Sequence, residues 1–382
     1  METVELLELI EKGEDSKTQL KTNFHNAVQL AQEMIAFSNT KGGNIIVGVD
    51  NDSNIIGLSG DDINRLNQLI SNAATENVKP SINPFTEIIK VGDKKILVIT
   101  VHEGYNKPYG TSEGIYLVKV GSDKRKISQE ELKRLFQESK QIMADKSIIY
   151  DSSLNDIDEK LLGEFYQKTF NKKIETAEIS ISKILENLYL AKNGNLTLAG
   201  LLLFGKNPQR LLPIFRIKAV SFFGNDPAGT KFRDSDDITG NLLDQFKKGM
   251  GFLTRNLKKI QVNKNFNIEG EIEIPIIALE ELLINALMHR DYFISSPIII
   301  FIFDNRVEII SPGRLPNNLT IENIKSGVSI PRNQLIVSFA SKLSPYRGVG
   351  TGIIRALQSY NKIEFINDIE TERFKVIIHR IQ

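Results

Sequence analysis

Glu280-Glu281-Leu282-Leu283-Ile284-Asn285-Ala286-Leu287-Met288-His289-Arg290-Asp291-Tyr292 is the stretch that decides how this chain reads. Apolar residues recur through it at helical spacing, which predicts an amphipathic helix over Ala278–His289. Glu281 and Asn285 are one turn apart and share a face, and His289 follows one turn later on that face. An amide so placed can hold a Mg²⁺ that bridges phosphates. A carboxylate one turn earlier can take a proton from an attacking water. Any solvated helix can carry Glu and Asn at this spacing, so the pair gains meaning from what lies downstream.

Downstream, PIIIFIF and RVEIIS read as consecutive strands with a turn at Asp304-Asn305. A segment rich in Pro, Gly and Asn follows, over about 311–345. Then Gly348-Val349-Gly350-Thr351-Gly352-Ile353-Ile354 leads into a further helix. Glycines at such a turn let backbone N–H groups approach an anion, and the helix start favours negative charge. A lone glycine turn is weak evidence; behind the Glu281/Asn285 helix it is stronger.

With Asn285-Ala286, His289-Arg290-Asp291-Tyr292, Ser311-Pro312-Gly313-Arg314-Leu315-Pro316, Arg332-Asn333 and Gly348–Gly352 in view, residues 270–370 resemble the GHKL fold of gyrase and the histidine kinases. They resemble most its divergent, helicase-related ATP-binding branch. The resemblance implies Glu281 as general base, of a weak ATPase at most, and Asn285 as ligand of the nucleotide's Mg²⁺. It implies nucleotide contacts from His289, Arg290, Gly313, Arg332, Asn333, Gly348, Gly350, Thr351 and Gly352. ATP and Mg²⁺ are the implied cofactors, with 311–345 as a lid. One departure stands out. Ser311 replaces the Asp that accepts the adenine amino group in this family, and Leu315 replaces a second Gly. Both adenine selection and fast hydrolysis are thereby put in question.

Gly200-Leu-Leu-Leu-Phe-Gly205-Lys206-Asn207 imitates a P-loop but ends in Asn, where Ser or Thr must hold Mg²⁺. Its bulky apolar middle predicts a packed element. Without a P-loop motor, helicase activity is not expected.

The first block, 1–140, opens with helices predicted at 3–12 and 26–39. A buried strand NIIVGVD follows, IIGL begins another strand, and a helix lies near 60–75. TEIIKV and KKILVITV form a hairpin around Gly92-Asp93, and GIYLVKVG is a strand. Ser128 and Glu131 make a capping box for the helix after them. Glu14 to Lys21, then Glu33 to Asp50 with its Ser38-Asn39-Thr40 and Gly48-Val49-Asp50, then Lys107-Pro108-Tyr109 and Gly121 to Lys126, resemble the AlbA-type module shared with Schlafen proteins. The resemblance implies nucleic-acid binding. Some relatives are metal-dependent nucleases with two acids, a lysine and an aspartate. Here Glu14, Lys21 and Asp50 match, while Gln19 stands at the second acid. Binding is therefore expected over cleavage, and a nuclease in defence is the alternative. Lys107, Lys119, Lys124, Arg125 and Lys126 are the candidate phosphate contacts, which would make binding salt-sensitive.

The remaining block, 141–265, is read as a polar linker to about 155 and an intermediate α/β region. The GHKL-like block is 266–382, and no winged-helix pattern follows it. The expected fold class is α/β (α+β) and multidomain, an AlbA/Schlafen-like α/β module followed by a GHKL-type α/β sandwich.

Composition bounds the partners. The 382 residues are 41% hydrophobic and 25% charged, with net charge +1 and no cysteine. Disulfides and cysteine zinc sites are excluded, and four scattered histidines make no metal cluster. Nucleic-acid binding has to come from a local patch. No apolar stretch is long enough to span a membrane, and the acidic amphipathic N-terminus is unlike a signal peptide. A cytoplasmic location is expected. The reading that follows is an ATP-binding, nucleic-acid-binding regulator, dimeric, on DNA more than RNA. Alternatives are the nuclease and an assembly protein whose nucleotide site has degenerated.

Overall fold

The computed structural model describes residues 1–139, 141–229, 231–260, 270–316, 319–343 and 350–380. The chain divides into two compact units, Met1–Ile142 and Met143–Gln382.

In the first unit, helix α1 (Thr3–Lys12) precedes strand β1 (Thr18–Lys21), helix α2 (Ala27–Asn39) and strand β2 (Gly43–Val47). Helix α3 (Gly60–Asn72), the hairpin β3 (Phe85–Val91) and β4 (Lys94–Val101), the ribbon β5 (Leu117–Val120) and β6 (Asp123–Lys126), and helix α4 (Gln129–Glu138) follow. The sheet order is β1-β2-β4-β3, with β1 and β2 parallel and the other pairs antiparallel. Side chains alternate across a strand, and here both sets are buried. Ile45, Val47, Leu97 and Ile99 join the core under α2, while Ile46, Ile96 and Val98 join α1's Leu6 and Ile10. That is why NIIV and ILVITV read as unbroken apolar runs. The strand expected from IIGL is reduced to one antiparallel bridge between Ile55 and Val49, because the N–H groups of Ile56 and Gly57 both donate to the Gly48 carbonyl.

In the second unit, helices α5 (Glu159–Phe170), α6 (Ile181–Asn187) and α7 (Leu198–Phe204) come first. They are followed by β7 (Ile217–Phe222), β8 (Phe232–Ile238), α8 (Leu242–Asn256) and α9 (Ile276–His289). Then come β9 (Ile298–Ile302), β10 (Arg306–Pro312), α10 (Ile321–Lys325), α11 (Gln334–Leu343), α12 (Gly352–Ser359), β11 (Ile363–Asp368) and β12 (Arg373–His379). Among the described residues the large sheet runs β8-β7-β9-β10-β12-β11. Only β7 and β9 pair in parallel, with Ala219 opposite Ile300. Ile298, Ile300 and Ile302 of β9 and Val307 and Ile309 of β10 pack in one core with Leu279, Leu283 and Leu287 of α9.

This division differs from the three blocks read in the sequence. The parallel pairing of β7 with β9 puts 143–260 and 270–380 into one sheet and one core. The stretch read as a linker is also built in: Asp145 is fully buried and accepts the N–H groups of Leu335 (2.6 Å) and Ile336 (3.2 Å) at the start of α11. Gly200 to Phe204 of the P-loop imitation lie in α7, which is buried along its whole length, while Lys206 and Asn207 are exposed beyond it. Among the described residues no helix is long and apolar enough to cross a membrane.

Candidate functional site

Helix α9 has an apolar face on the sheet and a second face against α12. On that second face lie Glu281, Asn285 and His289, all lining one cleft that encloses about 990 Å³, open solvent included. Ile309 and Ser311 of β10, Phe365 of β11, and Phe374 and Val376 of β12 form its sheet side. The expected lid contributes Gly313 to Pro316, Leu319, Ile324 and Val328 to Ile330.

The turn before α12 closes the cleft. Gly350 has φ +75°, and a Cβ there would run into the Gly327 carbonyl oxygen. A Cβ on Gly352 would sit 2.5 Å from Glu281 Oε2 and 3.2 Å from Asn285 Nδ2. The fold therefore brings Gly350, Thr351 and Gly352 onto Glu281 and Asn285. Gly348 lies outside the described residues.

Asn285 Nδ2 donates to the Glu281 carbonyl at 2.6 Å. Its amide oxygen is thus the end that can ligate a cation, which fits a Mg²⁺ carried by phosphates. Glu281 is engaged by a residue the sequence reading passed over. Arg355 Nε donates to Glu281 Oε1 at 2.8 Å, its Nη2 donates to the same oxygen, and its Nη1 donates to Thr351 Oγ1 at 2.7 Å. The available signal was position: Arg355 is three residues past Gly352, within the first turn of α12. Desolvation first, then the Arg332 guanidinium, push the His289 imidazole down to about 4, so it is neutral at pH 7. Ser311, buried under α9, donates its hydroxyl to the Ala286 carbonyl at 3.1 Å.

Three expected contacts lie behind the cleft wall. Arg290 is 2% exposed and sits between the Phe215 and Tyr292 rings, 4.6 and 4.9 Å from their centroids. It donates to the carbonyls of Ile294 and Ser296. Asn333, fully buried, donates to the carbonyls of Met288 (3.0 Å) and Arg290 (2.9 Å), holding the end of α9. Arg332 donates to the Arg314 carbonyl at 2.9 Å and lies 3.8 Å from Asp291. These side chains shape the cleft from outside, and none of the three lines it.

In the first unit, Glu14, Gln19 and Lys21 do come together. Gln19 donates to Glu14, Lys119 donates to Gln19 and to the Ser122 carbonyl, and Lys21 lies 3.5 Å from Glu14. Burial pulls the Lys119 ammonium below the usual lysine range, against the opposing pull of Glu33 and Glu14. Asp50 serves its own turn, accepting from the N–H groups of Asp52 and Asn54 and from the Asn54 amide. Asn54 in particular holds it below the usual carboxylate range. Among the described residues no group of three or more His, Asp or Glu could hold a metal.

The candidate phosphate contacts are mostly turned to internal partners. Lys107 donates to Glu103 and to the Thr40 carbonyl, and Lys124 pairs at 2.6 Å with the buried Glu33. Arg125 forks onto Glu131 at 2.8 and 2.6 Å. Lys126 is exposed. Asn39 of the Ser38-Asn39-Thr40 signature is a brace: its amide donates to the Tyr109 and Leu117 carbonyls and accepts from the Tyr109 N–H.

Comparison with known families defines the class. A model described as Schlafen, AlbA_2 matches residues 14–128, and one described as ATP-dependent DNA helicase recG C-terminal matches 295–378. A third, a domain of unknown function, matches 133–218. The two named domain types together suggest a nucleic-acid-associated, ATP-binding protein. This chain carries a Schlafen/AlbA_2 domain at its N-terminal end and a RecG C-terminal-like ATPase domain at its C-terminal end. A search of curated proteins gave no match. Among solved structures, the DIP2311 protein of Corynebacterium diphtheriae is 19% identical, over 99% of this chain and 80% of its own, at TM-score 0.49. The N-terminal domain of an ATP-dependent DNA helicase RecG-related protein of Nitrosomonas europaea is 24% identical, over 34% of this chain and 96% of its own, at TM-score 0.23.

Proposed function

We propose that this protein is an ATP-responsive, nucleic-acid-binding regulator. One observation carries the reading: the glycine turn at 350–352 lies directly on Glu281 and Asn285, inside one cleft. The backbone N–H groups at the start of α12 would receive the phosphates, and Asn285 would hold their Mg²⁺. Bound Mg²⁺ would supply charge neutralisation. The apolar side of the cleft, with Phe365, Val376 and Leu315, would take the base. Glu281 Oε1 is taken up by Arg355, which favours response to binding over rapid turnover.

Gly313 to Pro316, Leu319, Ile324 and Val328 to Ile330 line the cleft and would form the lid over the nucleotide. A homodimer in the cytoplasm, binding DNA more than RNA through the AlbA-type module, completes the proposal. Nucleotide can alter nucleic-acid affinity only if it binds two states unequally. Couplings of this kind are typically about 1–3 kcal/mol, or about 5- to 150-fold in affinity.

The test is duplex affinity with and without Mg-ATP, for wild type and Asn285→Ala. The reading requires a nucleotide-dependent change in wild type that Asn285→Ala lacks. Equal duplex affinity in every condition would refute it.

A further inference from the structure

We propose that Arg355 senses the terminal phosphate of the nucleotide and, while that phosphate is absent, keeps Glu281 occupied. The inference rests on the nucleotide reading of the cleft and adds a residue and a selectivity to it.

Arg355 lines the cleft between the glycine turn and Glu281. A guanidinium has five N–H donors in a fixed fork. Its bonds to Glu281 and Thr351 engage one donor on each of its three nitrogens. One N–H on each Nη is left over, and the side chain is 25% exposed, so the group is open to a further acceptor. On the other side of the pair, both Glu281 bonds fall on a single oxygen, Oε1.

A phosphate at the start of α12 would stand beside this fork. A terminal phosphate carries more charge than a carboxylate and accepts bidentately, which is the match that arginine favours. It would draw the guanidinium from Glu281 and leave the carboxylate free. A diphosphate lacks the group that completes the exchange. Arg355 therefore makes the cleft prefer triphosphate to diphosphate and ties release of Glu281 to that preference.

The test is equilibrium binding of Mg-ATP, Mg-ADP and a non-hydrolysable ATP analogue to wild type, Arg355→Ala and Arg355→Lys. One charge-assisted hydrogen bond corresponds to about ten- to a hundredfold in affinity. Arg355→Ala should lose about that factor for ATP and the analogue, and little for ADP. Arg355→Lys keeps the charge without the fork and should recover part of the loss. It also carries the test if Arg355→Ala does not fold. Equal weakening for ATP and ADP, or none, would overturn the sensor and leave the nucleotide site standing. Failure of wild type to bind either nucleotide would overturn both.

Discussion

Gly352 lies against Glu281 so closely that a Cβ at 352 would be 2.5 Å from Glu281 Oε2. Two elements more than sixty residues apart in sequence are therefore matched at one point, where the turn meets the Glu281 and Asn285 face of α9. Gly352→Ala should displace the Glu281 side chain, with a modest stability cost and a large loss of nucleotide affinity. Gly350→Ala should behave differently, since its φ is +75° and its obstacle is backbone at Gly327. Left-handed backbone costs a non-glycine residue about 1–2 kcal/mol, and the clash adds to that. Denaturant melts should show Gly350→Ala as the less stable of the two; the reverse order would count against the turn geometry.

Asp145 gives a second prediction. Its buried carboxylate caps α11 through two N–H groups, and burial raises its pKa despite those bonds. Asp145→Ala should cost about 0.5–2 kcal/mol, as loss of a helix cap does. Asp145→Asn keeps an acceptor without the buried charge and should match or exceed wild type at pH 7. Because the folded pKa is raised, the stability tied to protonated Asp145 is present below the unfolded value of 3.8 and is lost as pH rises through the folded value. Acidification should therefore shift the stability difference in favour of wild type over Asp145→Asn.

His289 has the opposite linkage. Its imidazole takes a proton near 6.5 when unfolded and at about 4 when folded. Between those values the unfolded chain binds more protons, so stability falls as pH drops from 6.5 to 4. The loss should be about 2–3 kcal/mol across the window. In His289→Gln that slope should be shallower, read from denaturant melts at each pH.

In the N-terminal unit, Lys124 and Lys126 should separate structure from binding. Lys124→Ala strips the partner from Glu33, whose side chain is 4% exposed, and should destabilise by about 1–3 kcal/mol. Lys126→Ala should leave the melting temperature unchanged and weaken duplex binding at low salt. Equal melting temperatures for the two variants would contradict the Lys124–Glu33 pairing.

Much of this molecule was readable along the chain, because its signals are local. The capping box of Ser128 and Glu131, the hairpin at Gly92-Asp93 and the α9 face of Glu281, Asn285 and His289 each depend on residues a few positions apart. The parallel pairing of β7 with β9 depends on residues eighty positions apart, and no short pattern announces it. Roles were also hard to separate from positions. Arg290 and Asn333 belong to the matched motifs, yet their side chains brace α9 from behind. Lys107, Lys119 and Lys124 look like phosphate contacts by charge alone, until the fold supplies Glu103, Gln19 and Glu33 as partners. Arg355 carries no motif of its own, and its importance appears only when α12 docks on α9.

The most direct measurement is thermal stability with and without Mg-ATP, Mg-ADP and Mg-GTP, for wild type and Asn285→Ala. Ligand at a hundred times its dissociation constant stabilises by about 2.7 kcal/mol. The account predicts that shift with Mg-ATP in wild type, and its absence in an Asn285→Ala variant that melts normally without nucleotide. No shift with any nucleotide in wild type, or an undiminished shift in Asn285→Ala, would contradict it.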